Sequence, residues 1–298
     1  MAERPAMQDI EITHADRVLF PDGTTKGDLA GYYAKVADSI LPHLRDRPLM
    51  LQRFPRGVTG SGFYQKDVEG RVPEWVRTVE VEKEGGTLRH LICDDPATLA
   101  FIADQDCVTL HSWTSRADRP RHPDRLVFDL DPSVEEDFAT VRQAAYWLRE
   151  ILDEVTLSSF VQTTGSRGLH VIVPLRRESE FDTVRKFARA VGGILAERYP
   201  EELTVEMPRK ERGDRVYIDV LRNAYAQTYV APYSVRPKDE PTVATPLRWD
   251  DLADSRLSAQ RYTIHNVPRR LAQVHDAWPG FDEAAGSLKK AIDLLQAL

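Results

Sequence analysis

The chain has 298 residues, of which 42% are hydrophobic and 29% charged, and its net charge is −7. That length carries one large domain or two modest ones with a full core, and the acidic balance argues against a protein that coats nucleic acid without discrimination, which would carry a basic excess. Two cysteines, Cys93 and Cys107, make neither a disulfide framework nor a zinc cluster, and no apolar run reaches the length of a membrane span.

In chain order, Met1 to Asp9 carries acids and no apolar core of a signal peptide. Residues 10–26 read as a strand and then a turn, because Pro21-Asp22-Gly23 is turn chemistry. Lys26 to Leu44 is expected as one helix, with Leu29, Tyr33, Val36 and Ile40 at helical spacing. Pro48 to Arg53 is a short apolar strand, and a Gly-rich turn over 57–62 leads into Phe63-Tyr64-Gln65-Lys66. Strands at Glu74–Val81 and Leu88–Ile92 are joined by the charged hairpin loop Glu82–Gly86. Asp94–Gln105 reads as a helix, Val108–Trp113 as a strand and Arg116–Arg125 as a basic loop. Cys93 and Cys107 lie in apolar text and read as reduced core thiols of a cytosolic protein.

Leu126 to Pro132, L-V-F-D-L-D-P, alternates as a strand does. Ser133 and Glu136 then have capping-box spacing, before a helix with the apolar stripe Phe138, Val141, Leu148 and Leu152. Strands are expected at Ser159–Thr163 and Leu169–Leu175 around the turn Thr164–Gly168, then a long helix marked by Phe181, Val184, Phe187, Val191 and Leu195. Strands at Leu203–Glu206 and Arg215–Leu221 flank a basic turn, and a helix over Ala284–Leu298 ends the chain. Helices alternate with strands only in part, so the expected class is α+β rather than a doubly wound parallel sheet.

Three constellations carry chemistry. Asp129 and Asp131 leave one face of their strand about 6–7 Å apart at the α-carbons, for a rise of roughly 3.3 Å per residue. Two carboxylates that close oppose each other's ionisation, and a divalent cation removes the cost; an ordinary strand end running into an Asp-Pro turn is the alternative. In T-T-G-S-R-G-L-H, Thr163 to His170, Gly165 and Gly168 permit a turn whose amides and hydroxyl face a phosphate, with Arg167 as a fork of donors. The alternative is a plain hairpin with a surface arginine. Asp219 sits mid-strand in V-Y-I-D-V-L and needs a partner, either an arginine or a shared metal. Around it, Leu203–Lys238 holds seven Lys/Arg against four Asp/Glu, the reverse of the whole chain, which gives an acidic centre in a basic field.

D-L-D, then S-R-G-L-H, then a lone strand aspartate resemble motifs I, II and III of the archaeo-eukaryotic primase superfamily. The flanks I-T-H-A-D-R-V-L-F-P-D-G-T-T-K (12–26), L-Q-R-F-P-R-G-V (51–58), F-Y-Q-K (63–66) and R-N-A-Y-A-Q-T-Y-V-A-P-Y-S-V-R (222–236) are similar to the polymerase domain of bacterial ligase D, the end-joining ligase. The resemblance covers nearly the whole chain and implies a single primase-polymerase domain over 1–298. It implies antiparallel and mixed central sheets flanked by helices, with the active site in the cleft between them. Asp129, Asp131 and Asp219 would then be catalytic and hold two Mn²⁺ or Mg²⁺ ions. Thr164, Ser166, Arg167, His170 and Arg236 would bind the nucleotide's ribose and triphosphate, with His111 and Trp113 around its base and sugar. Arg17 and Lys26 would hold the 5′-phosphate of the downstream strand, with His14 where relatives often have Asn. Phe63 and Tyr64 would stack on the template near Arg53 and Lys66, and Arg212 would help place the primer end; core packing is the alternative for the two rings. Motif II commonly has Lys where Arg167 stands, and the two cations are not equivalent on phosphates.

The implied activity is template-dependent nucleotidyl transfer that fills short gaps at DNA double-strand breaks and prefers ribonucleotides, with primase activity besides. The implied partners are DNA with a gap or 3′ overhang and a 5′-phosphate, an NTP or dNTP, a separate DNA ligase and an end-binding protein, with no membrane. The implied place is the bacterial cytoplasm, on the nucleoid when DNA is bound. Two rival readings use the same residues: a non-catalytic DNA-end scaffold, which has no need of three converging carboxylates, and a metal-dependent nuclease, which has no need of Arg236.

Overall fold

A computed structural model describes residues 5–134 and 137–297, whose contacts fall into two units. The first contains the chain up to Asp118 with Val230–Thr245 and Tyr262–Asp276, and the second contains Arg119–Tyr229, Pro246–Arg261 and Ala277 onward.

In the first unit the expected single helix is two, α1 (Lys26–Lys35) and α2 (Ala37–Leu44). Thr25 caps α1 in a capping box with Asp28. Val36, buried in the core, leaves helical torsions at φ −105° and ψ 7° and so separates the two. Residues 10–26 form no strand; Val18 and Thr25 make one isolated bridge around the turn at Gly23, because the chain doubles back within eight residues. There follow β1 (Leu49–Arg53), β2 (Phe63–Gln65), β3 (Thr78–Lys83), β4 (Gly86–Leu91), α3 (Pro96–Asp104) and β5 (Cys107–Trp113). They build an antiparallel sheet in the order β5-β1-β4-β3, with β2 also on β1. Leu29, Tyr33, Ile40, Leu51, Leu99, Ile102 and Leu110 join one buried cluster. Cys93 and Cys107 are buried free thiols, and burial pushes both above the ordinary thiol range.

The second unit is built on β6 (Arg125–Asp131), α4 (Phe138–Glu154), β7 (Phe160–Thr163), β8 (Leu169–Pro174), α5 (Phe181–Arg198), β9 (Leu203–Thr204), α6 (Arg209–Arg212) and β10 (Val216–Asp219). After β11 (Thr228–Val230) the chain contributes β12 (Pro246–Leu247), then α7 (Val267–Val274) of the first unit, then α8 (Leu288–Leu295). The sheet order is β12-β7-β8-β6-β10-β9, antiparallel except for β9 against β10. Leu126, Phe128 and Leu130 stand opposite Val173, Val171 and Leu169, and Leu130 stands opposite Ile218, so the face that β6, β8 and β10 share is apolar at these positions. α5 lies on that face: a Cβ on Gly192 would touch Ile218 and Val220 at 3.6 and 3.9 Å.

The cap of α4 is Asp137, which accepts the Thr140 amide. Glu136 of the expected Ser133/Glu136 box lies outside the described residues, and the Ser133 hydroxyl donates to the Arg215 carbonyl. The last helix starts at Leu288, not Ala284, because Gly286 is bound to the end of β8, its amide on the Pro174 carbonyl and its carbonyl on the Arg176 amide. Among the described residues no helix is long and apolar enough to cross a membrane.

Candidate active site

The acidic centre is assembled by strand register. Asp219 on β10 stands opposite Asp129 on β6, Asp129 opposite His170 on β8, and His170 opposite Gln162 on β7. Directly opposed residues share a face, so the four form one row across four strands, on the face turned from α5. Two residues along, Asp131 stands opposite Tyr217 on the same face. His170 Nε2 is 3.4 Å from Asp129 Oδ1, and its Nδ1 is 3.2 Å from the Gln162 amide nitrogen. Asp219 Oδ1 accepts the Leu221 amide at 2.7 Å, which opens the turn carrying Arg222. Asn223 clamps that turn to mid-β6, accepting the Val127 amide at 2.8 Å and donating to the Val127 carbonyl at 2.7 Å.

Arg222 then lies beside two carboxylates, with Nε 3.4 Å from Asp129 Oδ2 and Nη2 3.7 Å from Asp219 Oδ2. Both exceed the 2.7–2.9 Å of a strong charge-assisted bond. Burial and the neighbouring Asp129 charge push Asp131 up to about 6, although Arg167 and His170 oppose the shift. Burial, then Asp129, raises Asp219 against the pull of the Leu221 amide and Arg222. Three carboxylates thus share a face with too little positive charge. Among the described residues no three His, Cys, Asp or Glu form a closed ligand set. Mg²⁺ is held by one or two carboxylates plus substrate phosphates rather than by an all-protein cage, and the residues present fit that mode. Arg222 also supplies the arginine partner that was the alternative for Asp219, at a length that leaves it replaceable.

The turn Thr164–Gly168 borders this face. A Cβ on Gly168 would come within 1.9 Å of the Leu130 carbonyl oxygen, so only glycine lets the turn approach β6. Gly165 has φ +63°. The expected outward amides differ: those of Ser166 and Gly168 both donate to Thr164 Oγ1 at 3.2 Å, and the Thr164 amide donates to the Gly168 carbonyl. Thr164 is buried and braces the turn from within, while Gln260 donates to the Ser166 carbonyl at 2.8 Å. Arg167 remains on the acidic face, with Nη2 3.9 Å from Asp131 Oδ1. Arg212 stacks 3.7 Å above the Tyr217 ring and donates to the Glu206 and Met207 carbonyls, so here it shapes the wall beside Asp131.

The remaining candidates belong to the first unit. Arg236 follows the bridge Val235–Val243, its amide on the Thr242 carbonyl. His111 stands opposite Met50 and meets the Tyr64 ring edge-on at 5.8 Å. Trp113 does not line a nucleotide pocket: it is 1% exposed and packs on His90, because its strand turns it into the core. Phe63 and Tyr64 are 47% and 56% exposed, which excludes core packing. As neighbours on β2 they point to opposite faces, so they are not a pair on one platform. Arg53 lies 5.5 Å from the Phe63 ring centroid and donates to the Gln105 carbonyl and Gln65 Oε1, and Lys66 is exposed just after β2.

Arg17 and Lys26 do meet, through two aspartates that the sequence reading missed. Lys26 Nζ is 2.8 Å from Asp104 Oδ1 and 3.4 Å from Asp106 Oδ1, and Arg17 pairs with Asp106. Lys26 is 2% exposed and donates also to Thr13 Oγ1, so its three donors are engaged; it supports this corner from beneath rather than facing a ligand. His14 is exposed, at φ +50°. Gln162, Tyr217 and Asn223 were also missed. Gln162 is visible in F-V-Q-T only as a polar residue in a strand, and its place opposite His170 depends on pairing.

The family model described as "LigD, primase-polymerase domain" matches residues 25–278. Among named relatives, the chain is 34% identical over 287 residues to the multifunctional non-homologous end joining protein LigD of Mycobacterium bovis, covering 93% of this chain and 38% of that protein. It is 30% identical over 281 residues to the bifunctional non-homologous end joining protein LigD of Bacillus subtilis, covering 94% and 45%. The chain thus spans less than half the length of these relatives. A solved structure of the polymerase domain of Mycobacterium tuberculosis ligase D in complex with DNA superposes with TM-score 0.88 at 32% identity, covering 94% of this chain and all of that one.

Proposed function

The chain belongs to the LigD primase-polymerase domain family, and on that premise we propose that it is a template-dependent, DNA-directed nucleotidyltransferase that fills short gaps at double-strand breaks during non-homologous end joining. Both units serve one primase-polymerase domain. The observation that carries this reading is the register that sets Asp219 opposite Asp129, with Asp131 on the same face and Arg167 beside it.

Asp129, Asp131 and Asp219 would hold two divalent ions, Mn²⁺ or Mg²⁺, with Asp219 serving mainly the ion at the primer 3′-OH. When bound, such ions supply charge to the attacking and leaving oxygens of nucleotidyl transfer. The chain's own residues bind and orient. Arg167 offers its planar fork to the triphosphate, in a turn that Thr164 holds rigid. His170, which lies between the Gln162 amide and Asp129, contacts the nucleotide's ribose and triphosphate. Ser166 belongs to the same nucleotide-binding turn, with ribonucleotides preferred, and the family resemblance assigns nucleotide binding to Arg236 and His111 as well. Arg17 faces the 5′-phosphate of the downstream strand, and Phe63 and Tyr64 contact bases, a stacking worth roughly 1–3 kcal/mol each and indifferent to sequence. A separate ligase and an end-binding protein would complete the repair, in the bacterial cytoplasm.

Primer extension on a gapped duplex with a 5′-phosphate, given Mn²⁺ and either NTPs or dNTPs, tests the reading. Wild type should extend, faster with NTPs, and Asp129→Ala with Asp131→Ala should reduce extension to background. Undiminished extension by that variant would remove the assigned site, and DNA degradation without nucleotides would favour a nuclease.

A further inference from the structure

The two aspartates at the Arg17–Lys26 corner are held differently. Asp104 Oδ1 accepts from Lys26, from the Thr13 amide at 2.8 Å and from the Thr13 hydroxyl at 2.8 Å. Burial opposes its charge, yet Lys26 and Thr13 hold its carboxyl below the usual range. Asp106 has less: the contact with Arg17 and Lys26 at 3.4 Å. Its backbone is nonetheless fixed, since its amide is bonded to Ala103 and its carbonyl to the Phe54 amide. Arg17 is 33% exposed and grips Asp106 through Nη2 alone, while its Nε is buried and has no hydrogen-bond partner. A guanidinium fits a phosphate with two parallel donors, and a buried N–H left unpaired is costly. The corner holds two cations against two anions, so an arriving phosphate dianion meets no net positive charge while Asp106 sits on Arg17.

We infer that Asp106 stands in for the 5′-phosphate on Arg17, and that a phosphorylated DNA end binds by displacing this carboxylate, which therefore sets how strongly a 5′-phosphate is distinguished from a 5′-hydroxyl. Asp104 is the permanent counter-ion of Lys26, and Asp106 is the exchangeable one. The inference rests on the reading of this corner as the 5′-phosphate site.

The test is fluorescence anisotropy with a labelled gapped duplex carrying either a 5′-phosphate or a 5′-hydroxyl. It reads the ratio of the two dissociation constants, in which a general charge effect on DNA affinity cancels. Asp106 has φ +59°, a conformation asparagine and glycine also adopt, so Asp106→Asn and Asp106→Gly should both remain folded at the assay temperature, melting somewhat below wild type because the contacts with Lys26 and Arg17 weaken. In each the preference for the 5′-phosphate should rise by about five-fold, and Arg17→Ala added to Asp106→Asn should cancel the rise. A wild-type preference that stays the same or falls in both variants overturns the inference and leaves the 5′-phosphate site standing. A rise that survives Arg17→Ala overturns it as well. No preference in any protein overturns both, whereas no preference in wild type that appears in Asp106→Asn through Arg17 supports the inference.

Discussion

Two charged clusters in this protein are built in opposite ways. On the sheet of the second unit, register brings three carboxylates to one face, and the nearby guanidinium of Arg222 stays at 3.4 and 3.7 Å. In the first unit, Lys26 and Arg17 are matched one for one by Asp104 and Asp106. The charge states follow: burial and repulsion raise Asp131 to about 6, whereas its partners hold Asp104 below the ordinary carboxylate range despite burial. The unbalanced cluster gains stability from a ligand that brings positive charge. The balanced one is already stable, and a ligand must exchange with one of its members.

The largest effect should come from breaking the balanced cluster. Asp104→Asn leaves the buried Lys26 ammonium without its nearest carboxylate and should cost about 3–5 kcal/mol in urea unfolding. A loss below about 1 kcal/mol would mean that the two clusters do not differ in kind. Next, Mn²⁺ at about a hundred times its dissociation constant should stabilise wild type by about 2.7 kcal/mol at pH 7.5. The gain should shrink at pH 5.5, where protons compete for Asp131, and vanish in Asp129→Asn with Asp131→Asn; thermal melts with and without the metal check this. The smallest effect is relief of the burial and repulsion that oppose the Asp131 charge. Asp131 titrates higher in the fold than in the unfolded chain, so metal-free wild type loses stability as pH rises from about 4 through 6. Asp131→Asn should therefore be more stable than metal-free wild type by about 1–2 kcal/mol at pH 7.5, less than the roughly 3 kcal/mol of the whole shift because the buried amide keeps part of the desolvation cost, and the advantage should fade below pH 4. A variant less stable than wild type at pH 7.5 would show that no repulsion is stored there.

Much of this was legible in the order of residues. The alternation of L-V-F-D-L-D placed Asp129 and Asp131 on one face, and V-Y-I-D placed Asp219 away from the apolar one, because side chains alternate along any strand. The stripes of α4 and α5 were visible for the same kind of reason, a period of 3.6. The period also implied that Phe63 and Tyr64 part company, although reading them as a family pair concealed it. The misses arose where a residue answers to distant chain. Val36 breaks a helix that its spacing would continue, Gly286 delays the last helix by binding the end of β8, and Trp113 is turned into the core.

By itself the sequence determined the face on which each carboxylate stands, the class of fold and the left-handed turn position at Gly165, since these depend on steric rules acting over a few residues; the need for glycine at 168 comes from the approach to Leu130. Tertiary structure alone decided that Asp219 faces Asp129, that Gln162 reaches His170, and that Lys26 is sealed against Asp104. Those pairings join residues 8 to 90 positions apart. Strand register and buried charge balance are settled by what packs alongside, not by what comes next in the chain.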